Sequence, residues 1–112
     1  NDTDIVFHND DGSGGTTEYI TLDGSLTKNV LNVNTRVPDS VIIGYGASDD
    51  LQIYHNGTNS FGADNYTGTL IFQQRANDDD IIFKCDDGSG GVTAYLTLDG
   101  SATSIKVAKN LE

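Results

Sequence analysis

Three acidic clusters are the residues whose type and spacing could do chemistry: Asp10-Asp11-Gly12, Asp86-Asp87-Gly88 and Asp78-Asp79-Asp80. They offer hard oxygen donors, of which a calcium ion takes about six to eight. An EF-hand loop needs a bidentate Glu at its twelfth position. Counted from Asn9 that position is Ile20, so the pattern fails. The Gly-rich calcium repeat of β-rolls also falls out of register. Asp beside Gly is the composition of a tight turn, because the carboxylate hydrogen-bonds its own backbone. These clusters therefore read as turns, and no metal or cofactor is assigned to them. His8 and His55 each follow an aromatic residue. Three copies about a three-fold axis would bring three imidazoles together for a metal, but no His-x-His pair supports this, and both read as strand-end histidines.

Nucleophilic chemistry finds no framework. Cys85 is the single thiol, and its repeat counterpart is Asn9. One cysteine allows neither an internal disulfide framework nor a multi-Cys zinc site. No Gly-x-Ser-x-Gly elbow occurs. The Gly12-Ser13-Gly14-Gly15 loop follows acids and precedes a strand, whereas a phosphate cradle needs a following helix and usually a Lys. Carboxylate pairs for glycoside hydrolysis are uninformative where Asp is this abundant. Asn56-Gly57-Thr58 and Asn65-Tyr66-Thr67 match the glycosylation acceptor pattern. Tyr45, Tyr54, Phe61 and Tyr66 lie in or beside the middle segment, where aromatics among Asn, Asp and Gly suit either packing or a carbohydrate surface. The chain reads as a non-enzyme, with no catalytic residue assigned.

These residues must be held by short strands. The chain has 112 residues, with Lys plus Arg 6, Asp plus Glu 17 and a formal charge of -11. That charge argues against nucleic acid and against anionic membrane surfaces. No run approaches the roughly 18 apolar residues of a spanning helix, and no charged-then-apolar leader opens the chain. The start in mid-pattern, without Met, reads as a piece of something longer, and Leu111-Glu112 reads as native or as a cloning remnant. Asp, Asn, Gly and Thr make up nearly half the residues. They favour turns and strands, and no segment carries a 3.6-residue apolar period.

An internal repeat organises the whole. Residues 1–25 return at 77–101 with an offset of 76: Ile5/Ile81, Phe7/Phe83, the block Asp10 to Gly15 with Asp86 to Gly91, Tyr19/Tyr95, and Thr21-Leu22-Asp23-Gly24-Ser25 with Thr97-Leu98-Asp99-Gly100-Ser101. Each copy reads as a β-hairpin. Its first strand, about Asp4 to Asn9, puts Ile5 and Phe7 on one face. Its return strand, about Thr17 to Leu22, puts Ile20 and Leu22 on one face and Thr17, Tyr19 and Thr21 on the other. The second copy does the same with Ile81, Phe83, Leu96 and Leu98. Residues 26–76 carry middle strands, expected at Asn29 to Val37, Val41 to Tyr45 and Thr69 to Gln73. Asp49 to Gly57 is a faint echo of the second hairpin's first strand. Residues 102–112 form a tail.

Ile, Leu, Val and Phe are a quarter of the chain, one or two per short strand. Such strands hide their apolar side chains by stacking on neighbouring units. Two architectures fit: an elongated trimeric β-fibre of three intertwined parallel chains, or a single-chain β-solenoid. The trimer is preferred because one chain has too few apolar residues to enclose its own core.

Ser48-Asp49-Asp50-Leu51-Gln52-Ile53-Tyr54-His55-Asn56-Gly57-Thr58-Asn59-Ser60 resembles a recurrent element of bacteriophage tail-fibre proteins, especially those of marine phages. So do the strands that follow it, Gly68-Thr69-Leu70-Ile71-Phe72 and Asp79-Asp80-Ile81-Ile82-Phe83, and the flanking Asp-Asp-Gly-Ser-Gly-Gly and Leu-Asp-Gly-Ser units. Asn56 stands where the familiar run often has Asp. The resemblance covers nearly the whole chain. It implies a homotrimeric shaft in the extracellular virion fibre, joined to other fibre or virion proteins, presenting a tip to a host receptor. Two alternatives accompany it: a module binding host-surface glycan or protein, and, more weakly, a polysaccharide-degrading β-solenoid.

Overall fold

The computed structural model describes residues 3–111. The described residues are all-β, with nine strands in three separate three-stranded antiparallel sheets. It divides into two units, Asn1–Thr67 and Gly68–Glu112. Unit 1 holds β1 (Ile5–Asp10), β2 (Thr16–Asp23) and β3 (Lys28–Leu31) in one sheet, and β4 (Ile43–Tyr45), β5 (Leu51–His55) and β6 (Ser60–Asn65) in another. Unit 2 holds β7 (Ile81–Asp86), β8 (Val92–Asp99) and β9 (Ser104–Val107). In unit 1 no strand of the first sheet contacts a strand of the second.

The repeat forms the same meander twice. β1 pairs with β2 through Ile5↔Leu22 and Phe7↔Ile20, and β7 pairs with β8 through Ile81↔Leu98 and Phe83↔Leu96. Each β2-type strand carries one extra residue, Tyr19 or Tyr95, at a bulge beside Phe7 or Phe83. Past the bulge the register moves by one, so Thr17 lies opposite Asn9, on the Phe7 side of the sheet and not with Thr21 as strict alternation predicts. The expected hairpins gain a third strand. β3 begins at Lys28, one residue before the expected Asn29 to Val37 segment, and ends at Leu31, and β9 comes from the expected tail.

The connecting turns explain the local sequence. In Asp10 to Gly15 the Asp11 N–H donates to the Gly15 carbonyl at 3.1 Å, and Gly12 and Gly14 take φ of +80° and +92°. Asp11 Oδ1 gathers Ser13 N–H at 2.8 Å, the Ser13 hydroxyl at 2.8 Å and Gly15 N–H at 3.0 Å. Asp87 repeats this with Ser89 and Gly91 at 2.8, 2.8 and 3.1 Å. At the other end of the sheet Gly24 is needed for closeness: a Cβ there would lie 2.6 Å from the Thr3 carbonyl oxygen. Gly24 N–H donates to Asp4 Oδ1, and Gly100 N–H to Asp80 Oδ1, both at 2.9 Å.

The middle sheet has a different plan. β5 is its central strand, flanked by β4 and β6, whereas β7 is an edge strand, so the sequence echo between Asp49 to Gly57 and the second hairpin does not extend to topology. β4 is shorter than the expected Val41 to Tyr45. Thr69 to Gln73, expected as a strand, has no strand partner among the described residues. No solenoid is seen among the described residues. Successive solenoid coils would pair strand on strand, but every pairing among these residues is antiparallel and lies within a meander. The opening Asn1-Asp2 and the closing Glu112 lie outside the described residues.

Candidate functional site

The two repeat sheets each present one aliphatic face. In β1–β3 the register puts Ile5, Phe7, Ile20, Leu22 and Leu31 on the same side. Ile5, Phe7 and Leu31 are more than half exposed there. The opposite side holds Val6, Thr21 and Val30. There Thr21 is buried, and its hydroxyl accepts a hydrogen bond from the Asn32 amide at 2.9 Å. In β7–β9 the aliphatic side comprises Ile81, Phe83, Leu96, Leu98, Ile105 and Val107. Asn29 faces Leu22 in the first copy where Ile105 faces Leu98 in the second, so the second face is the more apolar.

No hydrophobic residue is buried among the described residues; the buried ones are Thr21 and Asp99.

Asp99 anchors the second sheet. It forms an ion pair with Lys106 and accepts from Ala102 N–H at 2.7 Å and from the Ser101 hydroxyl at 2.9 Å. The Lys106 ammonium foremost, then these two donors, hold its carboxyl far below the usual carboxylate range, and Asp99 in turn raises the Lys106 ammonium. Val30 stands at the Lys106 position of the first copy, so the ion pair is not repeated. Asp23 is held low by Leu26 N–H and then the Ser25 hydroxyl. Asp11 is held low by Ser13 N–H foremost, and Asp87 by the Ser89 hydroxyl. Asp10-Asp11 and Asp86-Asp87 are thus engaged as turn acceptors. Among the described residues no group of three or more His, Cys, Asp or Glu side chains converges as a metal cage.

His8 and His55 lie in separate sheets: His8 opposite Glu18, His55 with Nδ1 2.9 Å from the Ser60 hydroxyl. Cys85 is exposed, opposite Thr93 on β8.

The four aromatics divide between the faces of the middle sheet. Tyr54 and Phe61 oppose one another and stack, with centroids 4.7 Å apart and planes 10° apart. The hydroxyls of Tyr54 and Tyr66 both donate to Asp64 Oδ2, at 3.1 and 3.2 Å. Desolvation foremost raises the Tyr54 phenol, and the Asp64 charge raises that of Tyr66. Tyr54 and Phe61 are half-buried, while Tyr66 is 67% exposed. The other face pairs Ile43 with Ile53 and Tyr45 with Leu51.

Two residues carry more than their sequence positions suggest. Arg36 and Arg75 are the chain's arginines, and each lies in a segment joining two sheets. Neither guanidinium has an acceptor among the described residues.

A scan against protein-family models, a search of curated proteins and a search of solved structures each return no match. No helix of the described residues is long and apolar enough to cross a membrane.

Proposed function

We propose that this chain is a segment of the shaft of a trimeric bacteriophage tail fibre, a structural virion protein outside the cell that carries a receptor-binding tip and performs no catalysis. The observation that carries this reading is the missing interior: meanders with aliphatic faces and, among the described residues, no buried hydrophobic one. Three parallel chains would turn the faces of β1–β3 and β7–β9 toward one axis. Closing the half-exposed Ile5, Phe7, Ile20, Leu22 and Leu31 would contribute on the order of 5 kcal/mol per protomer from that sheet alone, at roughly half the full burial value for each side chain. Turns rich in Asp would face outward, and their charge would oppose side-by-side association of finished fibres. The sequence resemblance supplies the viral setting and the other fibre or virion proteins as neighbours. Sedimentation equilibrium tests the reading. A species of three times 11.9 kDa at micromolar concentration supports it, and a monodisperse monomer overturns it.

A second reading, recognition of host-surface glycan or protein, rests on Tyr66, which is exposed beside the half-buried carboxylate of Asp64. Binding on a glycan array that disappears with Tyr66→Ala would favour it; an unchanged or absent signal counts against it.

A further inference from the structure

The segment after β6 combines three properties. Thr69 to Gln73 has the composition of a strand, with Thr, Leu, Ile and Phe in succession. From Thr69 to Arg75 it runs without turn, bend or helix. Among the described residues the backbone N–H and C=O groups of Thr69 to Gln73 have no hydrogen-bond partner. Leu70, Ile71 and Phe72 are 41, 72 and 64% exposed. Three consecutive exposed apolar side chains on an unpaired backbone are an open invitation to pairing with another chain.

We propose that Thr69 to Gln73 is an intermolecular strand that pairs with a second copy of this chain, with Arg75 held by the Asp78-Asp79-Asp80 carboxylates of that neighbouring copy. The inference rests on the self-assembly reading above and adds which backbone joins the copies. Within the chain the Arg75 main chain is fixed, because Gln74 Oε1 accepts from Arg75 N–H at 2.8 Å and from Ala76 N–H at 3.0 Å. Its guanidinium is left without an acceptor. The Asp79 carboxylate is likewise uncommitted, whereas Asp80 is engaged by Gly100 and Asp78 by the Asn77 amide at 2.8 Å. The turn that Asp79 N–H closes on the Ala76 carbonyl, at 3.4 Å, keeps Asp79 near the level of Arg75. In copies arranged side by side in register, equal numbers stand at equal heights, so the guanidinium of one meets the carboxylate of the next. A chain of charge -11 gains most from placing its few cations between copies. Room exists for the incoming side chains: Phe72, Gln73 and Gln74 flank Asp80, Ile81 and Ile82 around an open groove of about 360 Å³.

The test uses the full chain, with sedimentation equilibrium and amide hydrogen exchange measured on the same sample. An oligomer whose Leu70 to Gln73 amides exchange at least a hundredfold slower than the unstructured rate supports the proposal. An oligomer in which those amides exchange freely overturns it while leaving self-assembly intact; a monomer overturns both. Ile71→Pro removes an N–H that has no partner among the described residues, so β7–β9 protection should persist. The concentration needed for half-assembly should rise at least tenfold, and Arg75→Glu should move it the same way. Unchanged assembly in both variants, with β7–β9 still protected, also overturns the proposal.

Discussion

The Tyr19 hydroxyl donates to the main-chain oxygen of Asp10 at 2.8 Å, and Tyr95 does the same to Asp86 at 2.8 Å. Each tyrosine is the extra residue of a bulge, and each bond ties that bulge to the strand end where the Asp-Gly turn begins. The bulge sets the register by which Ile20 meets Phe7 and Leu96 meets Phe83. Tyr19→Phe and Tyr95→Phe remove only this bond and should each lower stability by about 0.5–1 kcal/mol. Because the two lie in different sheets, the double variant should be additive within a few tenths of a kcal/mol. Urea denaturation of the four proteins checks this; strong non-additivity would show that the two sheets are energetically coupled.

Gly24 and Gly100 occupy sites where a methyl group meets backbone rather than a movable side chain. Gly24→Ala would drive Cβ into the Thr3 carbonyl, and Gly100→Ala into that of Asp79. Each should cost about 1–3 kcal/mol, the ordinary range for overpacking. Gly62→Ala, where nothing lies within 4 Å, is the control and should stay within the small range of a surface change. Thermal unfolding of the three variants separates them, and equal midpoints would contradict the close approach.

Much of this fold was legible in residue order. The offset of 76 predicted two equivalent hairpins, and the Ile5/Phe7 and Ile20/Leu22 pairs predicted their aliphatic faces. The bulge at Tyr19 was not legible, because one inserted residue leaves the apolar pattern of the strand looking regular while moving Thr17 across the sheet. β9 was hidden for a related reason: Ser104-Ile105-Lys106-Val107 does alternate, but it is only four residues long and stands in a segment that reads as tail. The strand expected at Thr69 to Gln73 has strand chemistry without a partner among the described residues. Sequence pattern reports what a segment prefers, and pairing depends on what lies beside it. The Asp99–Lys106 ion pair needed the register of β8 and β9, which spacing alone does not supply.

Acid should loosen the turns. Asp11, Asp23, Asp87 and Asp99 are all held below the ordinary Asp value in the folded chain. A depressed carboxylate contributes stability that is fully present above its unfolded pKa, near 4, and is lost as pH falls through its folded pKa. Stability should therefore be flat near neutrality and decline below about pH 4. Asp99, depressed furthest, should be the last of the four to protonate. Asp99→Asn should remove the part of the decline at lowest pH and leave the rest. Circular dichroism between pH 7 and pH 2 reads it; stability that rises steadily on acidification would contradict the turn assignments.

The apolar faces separate a self-assembling chain from an independent one. Phe83 is 47% exposed on the aliphatic side of β7–β9, so in a lone chain Phe83→Ala removes only a partly buried ring. In an assembly that buries the ring, the same change costs about 3–5 kcal/mol per protomer. Ile82, also 47% exposed but on the opposite side with Thr97 and Lys106, is the internal comparison. For the unsubstituted protein the unfolding midpoint should rise with protein concentration, as binding linkage requires when folded copies associate and unfolded ones do not. Phe83→Ala should lower the midpoint and flatten its concentration dependence, while Ile82→Ala should lower it less and leave the slope. Calorimetry over a hundredfold concentration range measures both quantities. A midpoint independent of concentration, with equal small losses for the two variants, would mean that the aliphatic face stays in water and that the meanders stand alone.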